Sequence, residues 1–218
     1  MKTKTQKGII LFALGILMAG LNIHFALGPD YGYSIDVSEG IKKGGITYIL
    51  TYLTGEKLNI YLNPIGYILI ILGISMTRRK GIYIRNIRVA AVVGLLSNLA
   101  KILLPFMFDQ YHLVNKIIVC IILEILAMLV ILYSFTLECK KQVDNYMYME
   151  VGKDLTFATE LYGFGVVCSY VILPFRALYI YFARGAYVVI VAAYCIAILY
   201  YVWKTLKYTK QLSLFAEN

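Results

Sequence analysis

The sequence predicts an all-α protein: a polytopic transmembrane helical bundle of about six spans, with N- and C-termini cytoplasmic and residues 1–218 forming a single transmembrane domain. Three observations lead there. Hydrophobic residues make up 61% of the chain and charged residues only 15%, and the mean hydropathy is +0.74, too apolar for a water-soluble domain of this length. The apolar residues fall into stretches close to the roughly 20 residues that one crossing takes. Finally, Lys and Arg collect between alternate stretches, as insertion into a bilayer requires.

The first span runs from Gly8 to Gly28. Its start imitates a secretory signal, with Lys2, Lys4 and Lys7 before the apolar run and Ala26 and Gly28 at its end. Pro29 would directly follow the cleavage site, where proline is poorly tolerated, so the segment is taken as retained. The second span, Leu58 to Met76, is less regular. Asn63 and Pro64 read as a helix N-cap and first helical residue, but Ile65 to Met76 alone is too short to cross and must borrow Leu58 to Leu62. Ile87 to Phe108, Leu113 to Phe135, Leu161 to Phe182 and Ala186 to Trp203 complete the set.

Between the first two spans, Ile46 to Thr54 places Ile46, Ile49, Leu50 and Leu53 on one helical side and reads as a short helix at the outer interface. The polar run Glu138 to Asn145 suggests that the fourth span continues beyond the bilayer as one helix, with Gly152 as its stop. Gly94 precedes Pro105, and Gly163 precedes Pro174, by the same interval, in segments ending LLPF and ILPF. Three tandem helical hairpins would produce this pattern, and so would chance alignment of apolar runs.

Orientation follows from charge. Met1 to Lys7, Thr77 to Arg88, Thr136 to Glu160 and the tail from Lys204 hold 14 of the 21 Lys and Arg residues, which puts that face in the cytoplasm. The net charge of +9 therefore reports topology and implies no nucleic-acid partner. Cys120, Cys139, Cys168 and Cys195 form no CxxC or Cys/His cluster and read as packing residues. Paired tyrosines such as Tyr31 and Tyr33, or Tyr200 and Tyr201, read as interfacial anchors.

An ionisable residue at membrane depth is costly and marks a candidate site. His24, Lys101, Glu124 and Arg176 qualify, and the helix rise of about 1.5 Å per residue places all four in the outer half of their spans or near the midplane. Lys101 and Glu124 are expected to pair, because a short loop from Asp109 to His112 makes their helices neighbours. The pair serves either a transport path or a lock between two helices. Gly94, Asn98, Lys101 and Pro105 share one helical stripe, which faces either a cavity or a packing seam; Gly165, Ser169 and Arg176 repeat that geometry. Arg176 either snorkels to headgroups or contacts an anion. His24 sits among small residues as a core histidine or a binding group, and no second ligand lies at metal spacing.

The segment LNPIGYILIILG (Leu62 to Gly73), after the opening KGIILFALGILMAGLNIHFALG, resembles a loose group of uncharacterised small multi-spanning membrane proteins of Gram-positive bacteria. In that group a segment like LPDFIGYILI follows the first span, and here Asn63 stands in place of the Asp-Phe pair. The likeness covers the N-terminal third and implies a bacterial cell membrane, with no particular activity. The format of six spans in about 200 residues is also similar to the substrate-binding subunits of energy-coupling-factor vitamin transporters, although Gly15 with Ala19 gives only one of the small-residue steps typical of their first span.

No GxSG serine with a later His, HExxH, CxxC or paired acidic motif is present, so no catalytic residue, metal or cofactor is expected. Two function classes remain. One is binding or transport of a small solute or lipid headgroup at an outward-facing polar layer of Asn98, Lys101, Glu124, His24 and Arg176, whose net positive charge favours an anionic or zwitterionic solute. The other is a non-catalytic membrane scaffold or partner subunit, with the bilayer and a protein partner or second copy as its contacts. The orientation is testable: an impermeant thiol reagent applied from outside should label a cysteine placed at Glu56 and leave cysteines at Arg79 and Lys207 unmodified.

Overall fold

The computed structural model of the protein describes residues 4–20, 59–77, 80–107, 110–144, 149–178 and 183–215. They form six helices and, among the described residues, no strand: α1 (Lys4–Gly20), α2 (Asn59–Met76), α3 (Ile82–Met107), α4 (Gln110–Asp144), α5 (Met149–Leu178) and α6 (Ala183–Phe215). Within them, Ile82–Lys101 and Val119–Lys141 are long and apolar enough to cross a bilayer, and Asn63–Met76 is a shorter apolar helix. The expected interfacial helix at Ile46 to Thr54 lies outside the described residues, as does His24.

Several local expectations change. Asn63 is not an N-cap, because α2 begins at Asn59 and holds Pro64 in its interior. A proline this near the helix start forfeits one backbone bond, to the carbonyl of Ile60, and the remaining turns hold the helix together. Gly152 does not stop α4, which ends at Asp144; it lies inside α5. There a Cβ would meet Lys140 Cγ of α4 at 3.7 Å, an ordinary contact, so nothing at this position requires glycine. His112 lies in α4 rather than in a loop, as nothing from Gln110 onward breaks a helix. Tyr201 is no interfacial anchor: it is fully buried, while its neighbour Tyr200 is half-buried.

The helices pack as three antiparallel hairpins, α1 with α2, α3 with α4 and α5 with α6, and these pairs make the most extensive contacts. Each hairpin also packs on the next, and α6 returns to α1, so the six helices close a ring. Gly94 and Gly163, the glycines of the recurring pattern, occupy comparable places. Each receives a side chain from the preceding helix, Tyr67 of α2 and Leu129 of α4. Inside the ring the rings of Phe12 and Phe135 stack with centroids 4.3 Å apart, among buried Ile16, Ile131, Leu132, Leu155 and Ile198.

At the basic end of the bundle, Lys204 pairs with Asp154 and lies over the Trp203 ring, 4.8 Å from its centroid. The hydrogen bond to Asp154 holds the Lys204 ammonium above the usual lysine range. Tyr208 donates to the Cys139 carbonyl at 3.3 Å and ties α6 to α4.

The α1–α2 seam is the closest approach, and glycine makes it possible. A Cβ at Gly15 would sit 2.7 Å from the Gly66 carbonyl oxygen, and one at Gly73 would sit 2.6 Å from that of Gly8. These partners are backbone atoms and cannot rotate away, so the helices themselves would have to separate. Gly15→Ala and Gly73→Ala should therefore each cost about 1–3 kcal/mol. Gly152→Ala, which meets only ordinary contact, should be neutral or gain up to about 1 kcal/mol. Thermal unfolding in detergent, compared across the three variants, checks this contrast.

Candidate functional site

Three helices meet at Glu124. α3 and α4 run antiparallel, which brings Lys101 of the first level with Glu124 of the second, and the Lys101 ammonium forms a salt bridge with Glu124 Oε2. The opposite carboxylate oxygen, Oε1, accepts a hydrogen bond from Asn63 Nδ2 of α2 at 3.3 Å. Glu124 is 3% exposed and Asn63 2%, while the Lys101 side chain keeps 16% of its surface. A carboxylate removed from water stays ionised only when charge and hydrogen bonds replace its hydration, and here both oxygens are engaged.

The expected stripe on α3 is present in part. Gly94 and Asn98 are buried and Lys101 is half-buried, all on the side turned to the bundle. Gly94 is required there because the Tyr67 ring fills the space that a side chain would occupy. Asn98 does not join the ion pair. Its Nδ2 donates to the Gly94 carbonyl at 2.9 Å, back onto its own helix, which satisfies a buried amide without a ligand. Of the expected polar layer, the described residues bring Lys101 and Glu124 together. Arg176 falls within α5 but its side chain lies outside the described residues, as does all of His24.

Asn63 is the residue that sequence reasoning assigned to another task. The signal was available, an amide followed by the apolar run Ile65 to Ile74, but the adjacent proline suggested a helix start. Among the described residues no three His, Cys, Asp or Glu side chains gather into a metal-binding group. The arrangement can hold three helices in register, and it can also exchange the lysine or amide contact for an anionic group.

Removing one partner of a buried pair strands the other, whereas removing both does not. Glu124→Gln and Lys101→Met should each destabilise the protein by up to a few kcal/mol, and the double variant should lose less than either single change. Thermal unfolding of the four proteins in detergent closes the cycle; simple additivity would show that the two residues do not interact.

No family model matches the chain, and neither curated proteins nor solved structures give a match. The residues and their geometry therefore carry the functional reading.

Proposed function

We propose that the chain is a six-span integral protein of the cell membrane, with both ends cytoplasmic, that acts as a non-catalytic scaffold or partner subunit. The membrane part rests on the outer surface of the bundle. Each described helix turns a large apolar side chain outward, among them Leu14, Leu72, Leu96, Leu126, Phe164 and Ile196, and Phe164 is 70% exposed. A bundle apolar on both its inner and outer faces fits lipid as its solvent, since soluble monomers seldom carry such a belt.

The scaffold part rests on one observation, the engagement of both Glu124 oxygens at 3% exposure by groups from two other helices. A site built to admit a solute keeps acceptors available, whereas both Glu124 oxygens are committed to donors of the protein itself. Their net effect is to fix α2, α3 and α4 together and to hold a constant surface for a protein partner or second copy.

A second reading, binding or transport of a small anionic or zwitterionic solute or lipid headgroup, draws on the residual exposure of Lys101, the cationic side of the pair. In that reading Glu124 occupies the lysine until a solute anion replaces it. Water access separates the two. Asn98→Cys, in a background with the four native cysteines replaced by alanine, leaves the ion pair untouched and lies one turn from it. The scaffold reading expects this cysteine to resist an impermeant thiol reagent in proteoliposomes and to react only after denaturation. Modification of the folded protein would replace the scaffold reading with the solute reading.

A further inference from the structure

The outward faces of α3 and α5 each carry a charge that the rest of the fold leaves unanswered. On α3, Arg88, Val92, Leu96, Leu99 and Leu103 recur at spacings of four and three, which sets them on one stripe, and all are exposed. On α5 the same spacing joins Phe157, Glu160, Phe164 and Val167, again all exposed. Glu124 and Asp154 are each answered by a lysine. Arg88 and Glu160 have no ion pair or side-chain hydrogen bond among the described residues, and a charge set in an apolar outer stripe is costly in lipid unless an opposite charge meets it.

The two charges also share a level. Arg88 precedes Lys101 on α3 by 13 residues, while on α4 Thr136 follows Glu124 by 12 and contacts Thr159, the neighbour of Glu160. At the helix rise both charges therefore lie roughly 18–20 Å from the Lys101–Glu124 pair, toward the basic end. α4 packs between α3 and α5 in the ring, so these outward faces cannot meet within one chain.

Copies inserted in one membrane share orientation and depth, which decides how they can associate. A symmetric contact sets each central residue against its own equivalent. α5 on α5 would oppose Glu160 to Glu160, and α3 on α3 would oppose Arg88 to Arg88, like charges beside apolar side chains where screening is weak. α3 of one copy on α5 of the next instead opposes Arg88 to Glu160, with Val92 and Leu96 against Phe164 and Val167. Arg85 and Lys153, the next charges on the two stripes, lie about one and two turns nearer the basic end, where water screens them.

We propose that the chain assembles with further copies of itself, side by side in the membrane, through an α3-to-α5 contact closed by Arg88 and Glu160. This names the partner of the scaffold reading, and rests on that reading for the membrane and the shared orientation. Because the two faces differ, the contact is heterologous, and each added copy offers a free face to the next until a ring closes.

The test uses the full chain in lipid vesicles, with the four native cysteines replaced by alanine and with Val92→Cys and Phe164→Cys, each one turn further in on its stripe. Oxidation should link copies into a ladder extending beyond dimers, whereas either substitution alone should leave monomers. Glu160→Arg should abolish the ladder, and adding Arg88→Glu should restore it, because the exchange recreates the pair with its charges reversed. Each charge variant should keep the parent's helical circular dichroism, as neither residue is bonded within the chain. The proposal is overturned if the doubly substituted chain stays monomeric, its faces covered by lipid alone, or if one substitution links copies as efficiently as the two together. It is also overturned if the exchanged charges, in a helical protein, fail to restore the ladder. The scaffold reading itself is decided separately by the labelling of Asn98→Cys, since a partner other than a second copy satisfies it equally.

Discussion

A carboxylate at 3% exposure must be answered by its surroundings, and at Glu124 the answer comes from two different helices. The effective cost of burying an ion without partners is several kcal/mol, comparable to the whole stability of many domains. α2 and α3 therefore have little freedom of rotation or register about α4: a turn of either would withdraw Asn63 or Lys101 and leave the buried charge without that partner. The position of Tyr67, one turn from Asn63 and packed on Gly94, follows from the same placement.

That constraint propagates around the ring through a second kind of contact. α2 is fixed by its amide, and α1 must then lie against α2 at backbone distance, because Gly8 and Gly15 face Gly73 and Gly66 with no side chain between them. Close approach multiplies weak dispersion contacts, which matters most where the surrounding solvent is itself apolar and the hydrophobic effect gives no reason for helices to associate. α1 in turn meets α6 at Gly20 and Ile198, and closes the ring. The polar clasp supplies position and the glycine seam supplies contact area.

The helical class was legible from composition and segment length, because apolar runs of this size have few other structures open to them. The Lys101–Glu124 contact was legible because helices joined by a short turn are neighbours and the helix rise gives the level of each residue. Asn63 was not, since α2 and α4 are not consecutive and no sequence interval relates them. Pro64 misled for a physical reason: proline is favoured at a helix start, but it is also tolerated a turn further in, where a single bond is lost. Gly152 shows the same ambiguity, as glycine often ends helices but is also tolerated inside them, as it is in α5. The burial of Tyr201 was hidden because tyrosine is common at membrane interfaces, and only the three-dimensional packing separates Tyr201, turned inward, from Tyr200 beside it.

Two buried polar contacts anchor α4. Glu124 holds one part of this helix, and Thr136, about 18 Å further along at the helix rise, bonds to Thr159 of α5. α4 is a continuous helix of 35 residues, and QYHLVNKIIVCIILEILAMLVILYSFTLECKKQVD contains neither proline nor glycine at which it could bend. A rotation that carried Glu124 away from Lys101 would therefore also carry Thr136 away from Thr159, and would break a buried contact at each level. Movement of α4 has to overcome both contacts at once, while a fixed α4 satisfies both. The energetics thus favour the static role of the helix, and any solute that opened the Glu124 pair would need to bind tightly enough to offset the loss at the threonines as well.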